Sequence, residues 1–284
     1  MTTTWSALGS RAPRSLAAAR VEAHWAVQLV GAAANALLAH RADDSQSTMS
    51  VHGTMGALVG EPLPQGRRVG VRLAPLELIV SDANDHVTDS LGLTERTLDD
   101  ARRWLEQVLD AGALSLRDYE MPDAPVGHGA AFGRAAIEDL AELQRWYENG
   151  VTPLEDLAAR DARATSVRIW PHHFDAGGIV FLEHDTPAEG AAQIGFGLSP
   201  GDSNFDQPYF YVTPWPLPAN PELPALPAGG IWTFGALSGA VLTGEAVVGD
   251  TNAQNQQENV RTFFEASLAA GERVVLRSRE ETTR

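Results

Sequence analysis

Two adjacent histidines and an aspartate, His172, His173 and Asp175, sit in SVRIWPHHFDAGGIVFLEHD, residues 166–185, between two runs of strand character. Imidazole and carboxylate are the side chains that hold divalent metals and move protons near neutral pH. If the segment is extended, alternate residues share a face, so His173 and Asp175 point together and His172 points away. His-x-Asp is then the first half of a two-histidine, one-carboxylate site, which binds non-haem iron with positions left open. The second histidine would be His184 further along, or His24 or His128. Three protein ligands plus water also suit a hydrolytic zinc. Three readings follow: iron or zinc held by His173, Asp175 and His24; metal-free proton transfer by His172, His173, Asp175 and His24; or a turn and a hydrogen-bonded core histidine.

His24 enters because of its place in SLAAARVEAHWAVQLVGAAANALLAHR, residues 15–41. Alanine and leucine dominate, proline is absent and Ser15 offers an N-cap, so a long helix is expected. Nearly every position is apolar, which predicts burial on most sides. Arg20, His24 and Gln28 nevertheless recur at i, i+4 and i+8 and form one stripe. Buried polar groups need partners, so the stripe is either an internal network or the wall of a polar cavity suited to an anionic or carbonyl-bearing substrate. Glu22 lies on a different face from His24 and does not chelate with it.

In PYFYVTPW, Tyr209, Tyr211, Thr213 and Trp215 share one strand face, a ligand wall with apolar bodies and polar tips. Two other motifs fail on mechanism. GLSPG, residues 197–201, has the letters of a hydrolase nucleophile elbow around Ser199, but the following Pro200 has no N–H for an oxyanion. Asp202, Asn204 and Asp206 begin like an EF-hand loop, yet Gln207 and Thr213 stand where glycine and glutamate are required. A turn in which Asp202 accepts local backbone amides is the expectation there.

The elements that must position these groups divide the chain. The helical-rich half, 1–164, holds the first helix, strand material interrupted by Pro75 around 69–82, a helix capped by Thr97 and Asp100, a helix ending at Asn149-Gly150, and a shorter one from Thr152-Pro153. The sheet-rich half, 165–284, alternates short β-rich runs with Gly, Pro, Asp and Asn, the mark of an antiparallel sheet. A last helix is expected at roughly 252–270. The predicted fold is α+β: a single domain, 1–284, whose antiparallel sheet, mostly residues 165–250, packs against long helices.

Composition removes several chemistries. There is no cysteine, hence no thiolate nucleophile or thiolate metal site. All 21 basic residues are arginine, which excludes a pyridoxal-phosphate (PLP) Schiff base and a phosphate-loop lysine. No dinucleotide glycine fingerprint is present, so NAD is not expected. The net charge of −16 opposes nucleic acid, and between Arg168 and Arg261 the chain carries acids but no Arg, a stretch expected to favour a cation. Without an apolar leader or a long apolar span, a cytoplasmic location and no membrane partner are expected.

The joint occurrence of WPHHFD, GFGLSPGD, PYFYVTPWP and, in the first helix, HWAVQ resembles a bacterial family common in actinobacteria, to which no reaction is assigned. The resemblance covers most of the chain and implies shared structure, not a substrate. The functional expectation is a small-molecule enzyme, metal-dependent with oxygenase- or hydrolase-type chemistry, whose pocket lies between the first helix and the sheet. There His172, His173, Asp175 and His24 would act, Arg20 and Gln28 would orient substrate, and Tyr209, Tyr211 and Trp215 would line the wall. The alternative is a non-catalytic small-molecule-binding or interaction protein in which the same polar residues form a buried network.

Overall fold

Short apolar runs punctuated by turn formers give strands in two blocks, within 49–92 and 168–243, and alanine-rich or amphipathic runs give the helices before, between and after them. A computed structural model describes residues 5–182, 191–218 and 221–282, with side chains described to residue 277. Its architecture is α+β: five helices and eleven strands, every strand pairing antiparallel, among the described residues. The chain forms two compact units.

The first unit comprises Ser15–Arg145 and Arg168–Asp175. It contains helix α1 (Ala17–Leu37), strands β1 (Met49–His52), β2 (Ala57–Gly60), β3 (Arg68–Arg72), β4 (Glu77–Ser81) and β5 (Val87–Gly92), helix α2 (Leu98–Leu109), and strand β6 (Arg168–Trp170). The strand order is β6-β1-β2-β3-β4-β5. The 69–82 stretch is therefore a hairpin, and Pro75 occupies its turn, where Leu76 N–H bonds the Leu73 carbonyl. Five strands where one interrupted strand was expected show how little a four- or five-residue strand stands out in a polar, glycine-containing stretch.

Helix α1 lies against this sheet, close enough that a Cβ on Gly60 would stand 2.8 Å from Val30 Cγ1. Ser15 does not cap it. A 3-10 turn over Pro13–Leu16 precedes the helix, and the cap residue is Leu16. Thr97 and Asp100 do form the expected capping box on α2.

The second unit comprises the described parts of Met1–Arg14, Trp146–Val167 and Ala176–Arg284. Its strands are β7 (Asp175–Phe181, of which Asp175 belongs to the first unit), β8 (Gln193–Ser199), β9 (Tyr209–Trp215), β10 (Ile231–Thr233) and β11 (Gly239–Thr243), in the order β10-β11-β9-β8-β7. Helix α3 (Ile137–Arg160) contributes residues from Trp146 onward, followed by α4 (Gly244–Val248) and α5 (Ala253–Thr282).

One sheet face is greasy and covered. Phe210 packs edge-on against Phe264 of α5, with ring centroids 5.6 Å apart, and 6.2 Å from Trp146 of α3. Asn149-Gly150 does not end a helix as expected. Gly150 sits where α3 touches the sheet, and a Cβ there would lie 2.5 Å from Leu198 Cδ2. The helix then passes through Pro153, and Thr152 Oγ1 donates to the Glu148 carbonyl one turn back.

Candidate functional site

The WPHHFD segment is not an extended strand. Residues 171–174 form a tight turn after β6, closed by Phe174 N–H on the Trp170 carbonyl, and Phe174 has a positive φ of 55°. The strand alternation that would aim His173 and Asp175 together is therefore absent: His173 is exposed, His172 half-buried, and Asp175 begins β7. The cause is local, since proline followed by two polar aromatic residues starts a turn as readily as it continues a strand.

Two residues of the α1 stripe meet this turn. His24 Nε2 lies 2.9 Å from the Pro171 carbonyl oxygen, and Gln28 Nε2 donates to the same oxygen at 2.6 Å and to the His24 carbonyl at 3.0 Å. The imidazole also stacks on Phe174, centroids 5.4 Å apart and planes 17° from parallel. His24 and Gln28 are buried. Burial, with minor contributions from the nearby charges of His173 and Arg20, lowers the His24 pKa to about 4, so the ring is neutral and acts as an N–H donor. Arg20 is half-buried one turn before His24. The stripe thus includes a clasp in which two side chains share one backbone carbonyl and a third, Phe174, stacks on the imidazole.

His172 faces outward from the clasp. Its ring contacts Tyr119 (5.4 Å between centroids), Trp170 (5.6 Å, edge-on) and His173 (4.3 Å). Burial lowers its pKa and raises that of Tyr119. Among the described residues no three His, Asp or Glu side chains gather in a group that could hold a metal ion. His128 is exposed and paired with Asp123 at 2.6 Å, and His184 lies outside the described residues.

The sequence singled out no role for Glu22, and the structure gives it one. Its buried carboxylate accepts the backbone N–H groups of Gly133, Arg134 and Ala135 at 2.9 to 3.2 Å, immediately before α3. Gly133 needs its φ of +120° to present that amide. An acid on an otherwise buried alanine-rich helix was the available signal.

In the second unit, the β9 face behaves differently along its length. Tyr209 is buried and donates its hydroxyl to Asp202 at 2.6 Å, while Asp202 also accepts the Asn204 and Phe205 amides, the turn that was expected. Ser199 Oγ accepts the Gly201 N–H. Tyr211 lies over a glycine pair, since a Cβ on Gly197 or Gly177 would stand 2.4 or 2.8 Å from its hydroxyl oxygen.

Only beyond Tyr211 does the face open. A groove of about 720 Å³ is lined by Ile179, Gln193, Gly195, residues 213–215, Leu217, Pro218 and the β10–β11 loop, residues 234–238. Register brings its floor together: Ile179 opposes Gly195, Gly195 opposes Thr213, and Gln193 opposes Trp215. The loop is braced by Thr233 Oγ1 on the Leu237 carbonyl and by Ser238 Oγ, which bonds both the amide and the carbonyl of Gly235. Of the five exposed large apolar side chains among the described residues, the two aromatic ones, Trp215 at 57% and Phe234 at 59%, both line this groove.

None of the lining residues is charged. Three acids of this arginine-free stretch are paired away from the groove: Asp206 and Glu245 bind Arg14, and Glu258 binds Arg261. The expectation of a cation-favouring surface therefore does not hold at the groove.

A second recess of about 390 Å³ in the same unit has an apolar floor that includes Val180, Ile194 and Phe264, under a rim of ion pairs. Arg163 is held by Asp161 and Glu272, and Arg261 by Glu258 and Glu265, so the rim's charges largely neutralise one another. No helix of the described residues is long and apolar enough to cross a membrane. Compared with protein-family models, curated proteins and solved structures, the chain matches none.

Proposed function

We propose that this protein binds a small, uncharged molecule in the groove under Trp215 and Phe234. The observation that carries the reading is the pair of aromatic side chains, each more than half exposed, on a braced loop and a strand end above an uncharged floor. Singly exposed apolar side chains are ordinary, but two aromatic rings that line one groove make the kind of patch that marks a ligand site. The volume falls within the range of about 300–1,000 Å³ usual for small-molecule sites. The test is a ligand-observed NMR screen of uncharged fragments against wild type and Trp215→Ala. Hits that vanish in the variant support the reading, and a screen without Trp215-dependent hits overturns it.

A second reading, proton transfer or metal binding at the WPHHFD turn, draws support from His172 and His173. Their rings lie 4.3 Å apart at the surface, and neither makes a side-chain hydrogen bond among the described residues. Elemental analysis of wild type and His173→Ala tests the metal version: stoichiometric iron or zinc lost in the variant supports it, and a metal-free wild type after reconstitution removes it. His24 is poorly placed for either role, because its Nε2 is held by Pro171.

A further inference from the structure

Resting on the groove reading above, we infer that the ligand class is a neutral carbohydrate, with a pyranose ring seated against Trp215 and Phe234 and its hydroxyls turned to Gln193, Thr213 and Ser238. Charge comes first. Charged residues make up 20% of the chain, and none lines this groove. An anionic ligand would leave water without a counter-charge and would meet the negative faces of the rings, at a cost well above that of a neutral one. Nucleotides and phosphosugars are thereby disfavoured, and a cation, which aromatic faces attract, finds no carboxylate in the lining.

The exposed rings then choose among neutral ligands. An aromatic face is the negative side of a quadrupole and attracts the slightly positive C–H groups that one face of a pyranose presents. The walls add the complementary part. Gln193 offers an amide with both donors and acceptors, while Thr213 Oγ1, which donates to the Gly195 carbonyl, and Ser238 Oγ, which donates to the Gly235 carbonyl, each keep a lone pair that can accept from a ligand hydroxyl. A purely apolar ligand would leave the Gln193 amide covered and unpaired, at about 1–3 kcal/mol. Gly195 keeps the floor low: a Cβ there would meet Thr213 Oγ1 at 2.5 Å, so any side chain would push the threonine out of place. Preorganisation is also present, because the 234–238 loop is tied by the Thr233 and Ser238 hydroxyls before any ligand arrives.

The experiment is isothermal titration of the full chain with maltotriose, cellotriose, tri-N-acetylchitotriose and mannotriose, and with indole and N-acetylated, C-amidated decaproline as two uncharged competitors for an aromatic groove. Wild type is compared with Trp215→Ala, Phe234→Ala and Gln193→Ala, each checked for folding by circular dichroism. At least one trisaccharide is expected to bind and to weaken about tenfold or more in both aromatic variants. Gln193→Ala is expected to weaken that sugar while leaving indole unaffected, since only the sugar uses the amide. Trp215-dependent binding of indole or decaproline without any sugar would overturn the carbohydrate assignment and leave the groove reading standing. Sugar binding indifferent to all three variants would place the site elsewhere and also overturn the assignment. Silence from every probe would overturn both.

Discussion

The shared carbonyl of Pro171 makes a specific energetic demand. His24 and Gln28 both donate to it, so either one alone still satisfies it, and only their joint loss strands it inside the protein. Near-isosteric substitutions isolate this: His24→Phe keeps a ring over Phe174, and Gln28→Met keeps the volume. Each single change removes hydrogen bonding from a group that stays paired and should cost about 0.5–1.5 kcal/mol. The double variant also leaves a buried acceptor unsatisfied, a penalty of about 1–3 kcal/mol on top of the two single losses. It should therefore be destabilised beyond the sum of the singles by about 1 kcal/mol or more. Urea denaturation followed by tryptophan fluorescence and circular dichroism, with m held constant across the four proteins, measures the coupling. Additivity within about 0.5 kcal/mol would refute the clasp, because it would mean that the carbonyl does not depend on these two donors. A His24→Phe protein of unchanged stability would refute the structural role of the imidazole directly.

The pH dependence follows from the same ring. A histidine whose folded pKa is depressed binds its proton more readily when unfolded, so stability is full above the unfolded value of about 6.5 and is lost as pH falls toward the folded value of about 4. The loss over that window is on the order of 3 kcal/mol, and midpoints measured between pH 7 and 4.5 should fall more steeply in wild type than in His24→Phe; equal slopes would contradict it. Glu22→Gln keeps the shape but removes the charge that the 133–135 amides address, and should cost about 1–3 kcal/mol with faster hydrogen exchange at Arg134 and Ala135. Gly150→Ala should destabilise by about 1–3 kcal/mol although helix propensity alone predicts a gain of about 1, since the new methyl meets Leu198; a more stable variant would show that α3 has room there.

Much of the fold was legible because it rests on patterns that a single sequence carries. The alanine-rich run gave α1, Thr97 and Asp100 gave the start of α2, and the alternation after residue 165 gave the second unit's antiparallel sheet. What escaped depends on tertiary contact. Gly150 looks like a stop signal, but its missing side chain is what lets α3 lie on Leu198 and Phe210, and packing overrides the local preference. The strands at 49–60 carry little alternation, with β2 buried at all four positions, so periodicity has nothing to detect.

The site shows the same divide more sharply. Types and spacing marked Arg20, His24 and Gln28 as a stripe in need of partners, and the partner that answers His24 and Gln28 is a main-chain carbonyl, which every residue has. Composition cannot distinguish a histidine aimed at a substrate from one aimed at Pro171, because both need the same donor in the same helix position. Trp215 poses the opposite problem. Strand alternation put it on one face with Tyr209, Tyr211 and Thr213, yet these side chains have separate fates: Tyr209 is drawn inward by Asp202, Tyr211 is laid across glycines, and only Thr213 and Trp215 reach the groove. Phe234, which completes it, comes from a hairpin loop some twenty residues later. A binding surface assembled from a strand end and a neighbouring turn is specified by register, and register becomes readable only once the strands have been paired.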